Sequence, residues 1–196
     1  MTPCSSTIIE DVYHHCKLDL SSAVAYFYFD FNDAQKQQSD NLIRSLITQL
    51  SFQSPSCPDA LAALYSQNEN GQRQPTTEGL MITLKSILRG FRHAYVIVDA
   101  LDECGDWEQL RALIEDITEW KLGTLHVLTT SRKEQDIGDC LGPRVSAQIN
   151  LHSALVNVDI QTHLCERLRN DTKLKKWPTK VHKQIEVALM EKADGM

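Results

Sequence analysis

The apolar run Tyr95-Val96-Ile97-Val98 ends without a spacer in Asp99, and Asp102 and Glu103 follow almost at once. Like charges gathered at the edge of a core gain nothing in stability from one another, so the grouping asks for a positive partner. A carboxylate that directly ends a buried strand can hold Mg²⁺, usually through water, because hard cations take oxygen ligands. A second carboxylate a few residues on can orient or deprotonate an attacking water. A later run, "TLHVLTTSR" (124–132), ends in Thr129, Thr130, Ser131 and Arg132. Hydroxyls and a guanidinium there could face the same point, and an arginine can read the charge of a terminal phosphate. The plainer alternative is that the acids solvate a loop or cap the next helix, as Asp106 is placed to do.

Such residues work only if regular elements hold them. "AVAYFYFDF" (23–31), residues 94–99 and residues 124–132 are short apolar or β-branched runs of the kind that form buried strands, and "SAQINL" (146–151) is a weaker one. Between them apolar residues recur at helical spacing over 6–16 and over 39–51, where Ser39 is the expected cap. They do so again over about 80–88, ending at Gly90, and over 106–120, where Asp106 and Gln109 make a near capping box. Residues 52–75 read as a loop with a short helix over 59–67, and two further helices are expected near 158–169 and 179–193.

Strands separated by helices imply parallel crossovers, and a parallel sheet is covered on both faces. The expected fold is therefore α/β, a three-layer arrangement over residues 1–152, followed by an all-helical segment over 153–196. Ligands of such sheets bind beyond the carboxyl ends of the strands, where Asp99, Asp102, Glu103 and Arg132 fall.

Composition narrows the function classes. An apolar fraction of 42% with 23% charged residues is that of a globular protein, and a net charge of −6 disfavours a nucleic-acid partner. The basic residues Arg167, Arg169, Lys173, Lys175, Lys176, Lys180 and Lys183 read as a solvated helix face and loop. No apolar run approaches membrane-spanning length, and the opening residues do not form a secretory signal, so no membrane partner is expected. The six cysteines are scattered without C-x-x-C or zinc spacing, which predicts reduced thiols in a cytoplasmic protein. The one adjacent histidine pair, His14-His15, would point to different helix faces, so no zinc site is expected.

"YVIVDALDEC" resembles the Walker B segment of NACHT domains, a branch of the signal-transducing P-loop NTPases: a first Asp, a small residue, a hydrophobe and an acid pair. "LHVLTTSR" is similar to the sensor segment of that family. "AVAYFYFDFNDAQKQQSDNLIRSLITQL" resembles the stretch after the P-loop helix in fungal NACHT proteins related to the nephrocystin-like N-terminal domain. "LMEKADGM" looks like the start of a segment just past the nucleotide-binding core. The resemblance implies a P-loop-NTPase-like sheet that binds ATP or GTP with Mg²⁺ as a conformational switch in signalling. It gives Asp99 the Mg²⁺ role, Asp102 and Glu103 the water-activating role, and Arg132, beside Thr130, the sensing role at the nucleotide.

The sequence departs from that family in one respect. No G-x-x-x-x-G-K-[ST] occurs, and none of the eight glycines is followed by lysine. That loop supplies the amides and the lysine that hold phosphates. The expectation is a NACHT-type core without its P-loop and first strand, with nucleotide binding weak or absent and no hydrolysis alone. In the family that strand lies beside the sensor strand, so unpaired edges and association with itself or with homologous NACHT proteins are expected. The alternative is a non-enzymatic interaction fragment or an inactive remnant that binds no nucleotide.

Overall fold

The computed structural model describes residues 3–19, 21–53, 57–149 and 154–193. The chain divides into two compact units, Met1–Arg144 and Val145–Met196. In the first, three parallel strands lie in the order β1 (Ser22–Tyr28), β2 (His93–Asp99), β3 (Leu125–Thr129). The register pairs Tyr26 with Ile97 and Val96 with Val127. β2 is central and apolar from Ala94 to Val98, as a strand covered on both faces must be.

Its side chains alternate between two cores. Ala94, Val96 and Val98 join a large apolar cluster with Leu42, Ile43, Leu46 and Leu50 of α2 (Ser39–Ser51). The same cluster takes in Leu80, Leu84 and Leu88 of α4 (Thr77–Leu88) and Leu110 and Leu113 of α5 (Trp107–Glu119). Tyr95 and Ile97 face the other way, onto Ile8, Ile9, Val12 and Cys16 of α1 (Pro3–Lys17). Helix, sheet and helices make the expected three layers. Full burial of one such Leu or Ile contributes about 1.5–3 kcal/mol, so both faces draw substantial stability from β2.

Local chemistry sets the helix ends. Pro3 opens α1 at a position where a missing N–H costs nothing. The Thr76 hydroxyl accepts from the Gly79 N–H and starts α4 three residues before the apolar run that announces it. Asp106 caps α5 by accepting from the Gln109 N–H, but the Gln109 side chain does not complete a capping box; it accepts from the Ser39 hydroxyl instead. Ser39 is therefore not the cap of α2. It is the first helical residue, buried at 3% exposure, with Gln38 before it.

Two further elements complete the unit. α3 (Cys57–Gln67) fills part of the expected loop, and α6 (Gln135–Leu141), which no periodicity announced, buries Ile137 and Cys140. The weak strand expected over 146–151 does not form in its described part: residues 146–149 are exposed and pair with nothing as a strand, and 150–151 lie outside the described residues.

The second unit is helical: α7 (Ala154–Asn170) and α8 (Thr179–Ala193) joined by a turn over Leu174–Lys176. Asp171 shapes that turn by accepting from the Lys173 and Leu174 N–H groups, and those bonds hold its carboxyl below the usual range. Leu168 is buried, whereas the basic residues from Arg167 to Lys183 are exposed, as a solvated face requires. The "LMEKADGM" stretch ends beyond the described residues. Among the described residues, no helix is long and apolar enough to cross a membrane.

Candidate functional site

The residues singled out by type and spacing meet at the carboxyl ends of β2 and β3. Asp99, the last residue of β2, is 2% exposed. Its Oδ1 accepts two hydroxyl hydrogen bonds of 2.6 Å each, from Ser5 in the first turn of α1 and from Thr130 just past β3. A buried carboxylate needs such donors, and the nearby start of a helix adds a favourable dipole.

The chain then turns sharply. Ala100 adopts a left-handed conformation, φ 58° and ψ 55°, which costs a residue bearing a Cβ about 1–2 kcal/mol. Thr130 holds the strained turn from both sides: its hydroxyl accepts from the Ala100 N–H at 3.0 Å and its carbonyl from the Leu101 N–H at 2.9 Å. The small residue between Asp99 and Leu101 thus has a physical reason, since a larger or branched side chain fits this conformation poorly.

Beyond the turn the two remaining acids point to different partners. Asp102, with its side chain 7% exposed, accepts from the Arg132 backbone N–H at 3.0 Å and lies 3.5 Å from the Arg132 Nε. The Arg132 side chain itself is 68% exposed, so its guanidinium is anchored at one end and open to a ligand at the other. Glu103 accepts from the Phe31 N–H at 3.1 Å and so fastens the loop after β1. Cys104 sits beside this loop with its thiol donating to the Gln37 carbonyl, and burial pushes the thiol up, away from reactivity.

The structure therefore brings Asp99, Thr130, Asp102 and Arg132 into one connected set and places Glu103 at its rim. It does not focus the three acids on one point: among the described residues no three His, Cys, Asp or Glu side chains form a metal-holding group. Magnesium does not demand such a cage. It commonly takes one or two carboxylates and completes its shell with water and phosphate oxygens. The donor set here, a carboxylate ringed by hydroxyls, consists of hard oxygens and fits that mode. A shallow recess lined by Thr77, Met81, Lys85, Asp116 and Trp120 lies instead between α4 and α5 and contains none of these residues.

Two participants escaped the sequence reading. Ser5 lies 94 residues from Asp99, and only the packing of α1 across the sheet joins them. Phe31 contributes a backbone amide, to which side-chain patterns are blind.

Comparison with curated proteins and with solved structures gives no match. The sequence profile described as nephrocystin 3, N-terminal, matches residues 2–132, a span that begins just before α1 and ends at Arg132. That span is two thirds of the 196 residues and takes in Asp99, Asp102, Glu103, Thr130 and Arg132, so the chain belongs to the nephrocystin 3 N-terminal family.

Proposed function

We propose that the carboxyl ends of β2 and β3 are the magnesium and sensor half of a nucleotide site, in a signalling switch of NACHT type. The observation that carries this reading is the buried Asp99 at the end of the central strand, tied through Thr130 to the segment just past β3 that carries an open arginine. In this role Asp99 holds Mg²⁺ with its hydroxyl neighbours, and the ion, when bound, neutralises charge on the nucleotide phosphates. Thr130 orients Asp99 and supports the Ala100 turn. Asp102 fixes Arg132, whose free guanidinium nitrogens address a phosphate oxygen. Glu103 lies nearest the loop after β1 and is the carboxylate suited to orient a water.

The 196 residues contain no phosphate-holding glycine-lysine loop, so binding by this chain alone is weak, on the order of 1 mM or about −4 kcal/mol. A second reading, a protein-interaction fragment that takes no nucleotide, draws support from the same acids. Each already has a partner within the chain: Asp99 with Ser5 and Thr130, Asp102 with Arg132, and Glu103 with Phe31.

Amide chemical shifts recorded during titration with ATP or GTP, with and without Mg²⁺, separate the two. The nucleotide reading expects Mg²⁺-dependent shifts at Thr130, Ser131 and Arg132 that vanish in the near-isosteric Asp99→Asn and weaken in Arg132→Ala. A folded chain whose shifts stay fixed at several times the expected dissociation constant overturns it in favour of the interaction fragment.

A further inference from the structure

The opposite ends of the same strands carry a second constellation that no sequence spacing announced. His93, the first residue of β2, and His126, the second of β3, are 33 residues apart in sequence and lie on one face of the sheet. The Nδ1 of His93 lies 3.2 Å from the Nε2 of His126, and the ring centroids are 5.5 Å apart. Tyr95 stacks on His126 at 4.8 Å, and His15 of α1 meets the edge of Tyr95. The strand rise puts this cluster about 20 Å from Asp99 along β2.

We infer that His93 and His126 form a two-imidazole site for a late first-row divalent cation of the Zn²⁺ class. A tetrahedral ion about 2.05 Å from each nitrogen needs the two nitrogens about 3.3 Å apart and the ring centroids about 5.2 Å apart. The nitrogen separation matches, but 5.5 Å between centroids at that nitrogen distance sets the rings nearly head-on, so each imidazole must turn by roughly 35° to aim its lone pair at a shared ion. With both rings neutral, one nitrogen now donates its N–H to the other. On metal binding the donor ring moves its proton to its other nitrogen, both facing lone pairs become available, and no proton is released.

The stacked Tyr95 restrains His126, and the backbone register of β2 and β3 restrains both rings, so little side-chain freedom is lost on binding. Imidazole suits this class of ion, whereas Mg²⁺ prefers oxygen, so the two ends of the sheet have different metal preferences. Among the described residues no third His, Cys, Asp or Glu joins the pair, so water completes the coordination. The site is therefore open and exchangeable, and it cross-links β3 to β2.

Calorimetric titration of the untagged, reduced chain with Zn²⁺ alone, together with the imidazole ¹⁵N shifts of His93 and His126, tests this. One equivalent is expected, with both rings shifting. His126→Gln, at an exposed position, should raise the dissociation constant at least about tenfold. His93→Gln should do the same, and the double variant should be no worse than either single. Zn²⁺ binding that persists unchanged in both single variants, imidazole shifts that do not move, or no binding at all would each overturn the site. Should His93→Gln fail to fold, His126→Gln still decides between these outcomes.

Discussion

The two edges of the sheet are finished in opposite ways. On β1 the outward-facing backbone groups of Val24 and Tyr26 are taken by two glutamine side chains. Gln53 accepts from the Val24 N–H at 3.1 Å and donates to its carbonyl at 2.8 Å, and Gln49 does the same for Tyr26 at 3.1 and 2.7 Å. The match is geometric. Four residues of helix advance about 6 Å, and two residues of strand about 6.6 Å, so amides at i and i+4 can serve a strand at j and j−2. On β3 the outward-facing residues Val127 and Thr129 have no such partners among the described residues, and Val127 is 51% exposed. Side chains can complete a ladder as another strand would, and among the described residues they do so on one edge alone.

Proline separates the edges most sharply. Val24→Pro removes an N–H that Gln53 receives and leaves that amide oxygen without its donor, a loss of about 3 kcal/mol in urea unfolding. Val127→Pro removes an N–H that faces outward, where proline is tolerated, and should cost about 1 kcal/mol or less. Equal losses at the two positions would show that the edges are not chemically distinct. The glutamines can also be removed directly. Gln49→Ala with Gln53→Ala deletes four bonds to β1, two of them part-buried, and should cost about 2 kcal/mol while making sedimentation newly concentration-dependent. A double variant as stable and as monodisperse as the parent would reduce the glutamines to surface decoration.

Much of this framework was legible in the sequence, and the parts that were not share a cause. Strand 94–99 announced itself because burial on both faces leaves an apolar run. The stretch 23–31 did so by its aromatic and β-branched residues, although β1 stops at Tyr28, and Tyr26 and Phe31 are exposed. α2 matched its expected range because Leu42, Leu46, Ile47 and Leu50 repeat at helical spacing. Asp99, Asp102, Thr130 and Arg132 were legible because strand ends in an α/β sheet converge. What stayed hidden were the distant side-chain pairings that this convergence of strand ends does not supply: Ser5 with Asp99, Gln49 and Gln53 with β1, and His93 with His126. Sequence pattern encodes which face a residue lies on, not what lies across from it. The unpaired edges expected from the sequence lay beside the sensor strand and the last strand, so the glutamine-covered edge at β1 answers no expectation. α6 was missed because only Ile137, Cys140 and Leu141 interrupt a polar segment too short to show a period.

The open edge makes a smaller and opposite prediction. Val127→Lys places a charge where edge strands of soluble proteins commonly carry one, and it removes no buried contact that stability depends on. Unfolding free energy should stay within about 0.5 kcal/mol of the parent, while any self-association seen by sedimentation at high concentration should fall. Association that survives the lysine unchanged would have to run through another surface.

The smallest expected effect concerns how β1 enters the sheet. The Asp19 carboxylate accepts from the Ser21 and Ser22 hydroxyls at 2.6 and 2.7 Å and from the Ser21 N–H at 3.0 Å, and its carbonyl accepts from the Ser22 N–H. Those bonds, the two hydroxyls foremost, favour the ionised form and pull the group from 3.8 down to about 2. β3 enters with a backbone bond alone, from the Leu125 N–H to the Leu122 carbonyl. Because the folded value of Asp19 lies below the unfolded one, its contribution is complete above about pH 4 and drains away as pH falls toward about 2. Asp19→Asn should therefore flatten that part of the stability–pH curve and leave the curve's shape above pH 5 unchanged. A parent and variant whose curves run parallel between pH 4 and pH 2 would mean that the turn before β1 holds without its charge, and that the two strands enter the sheet on the same terms.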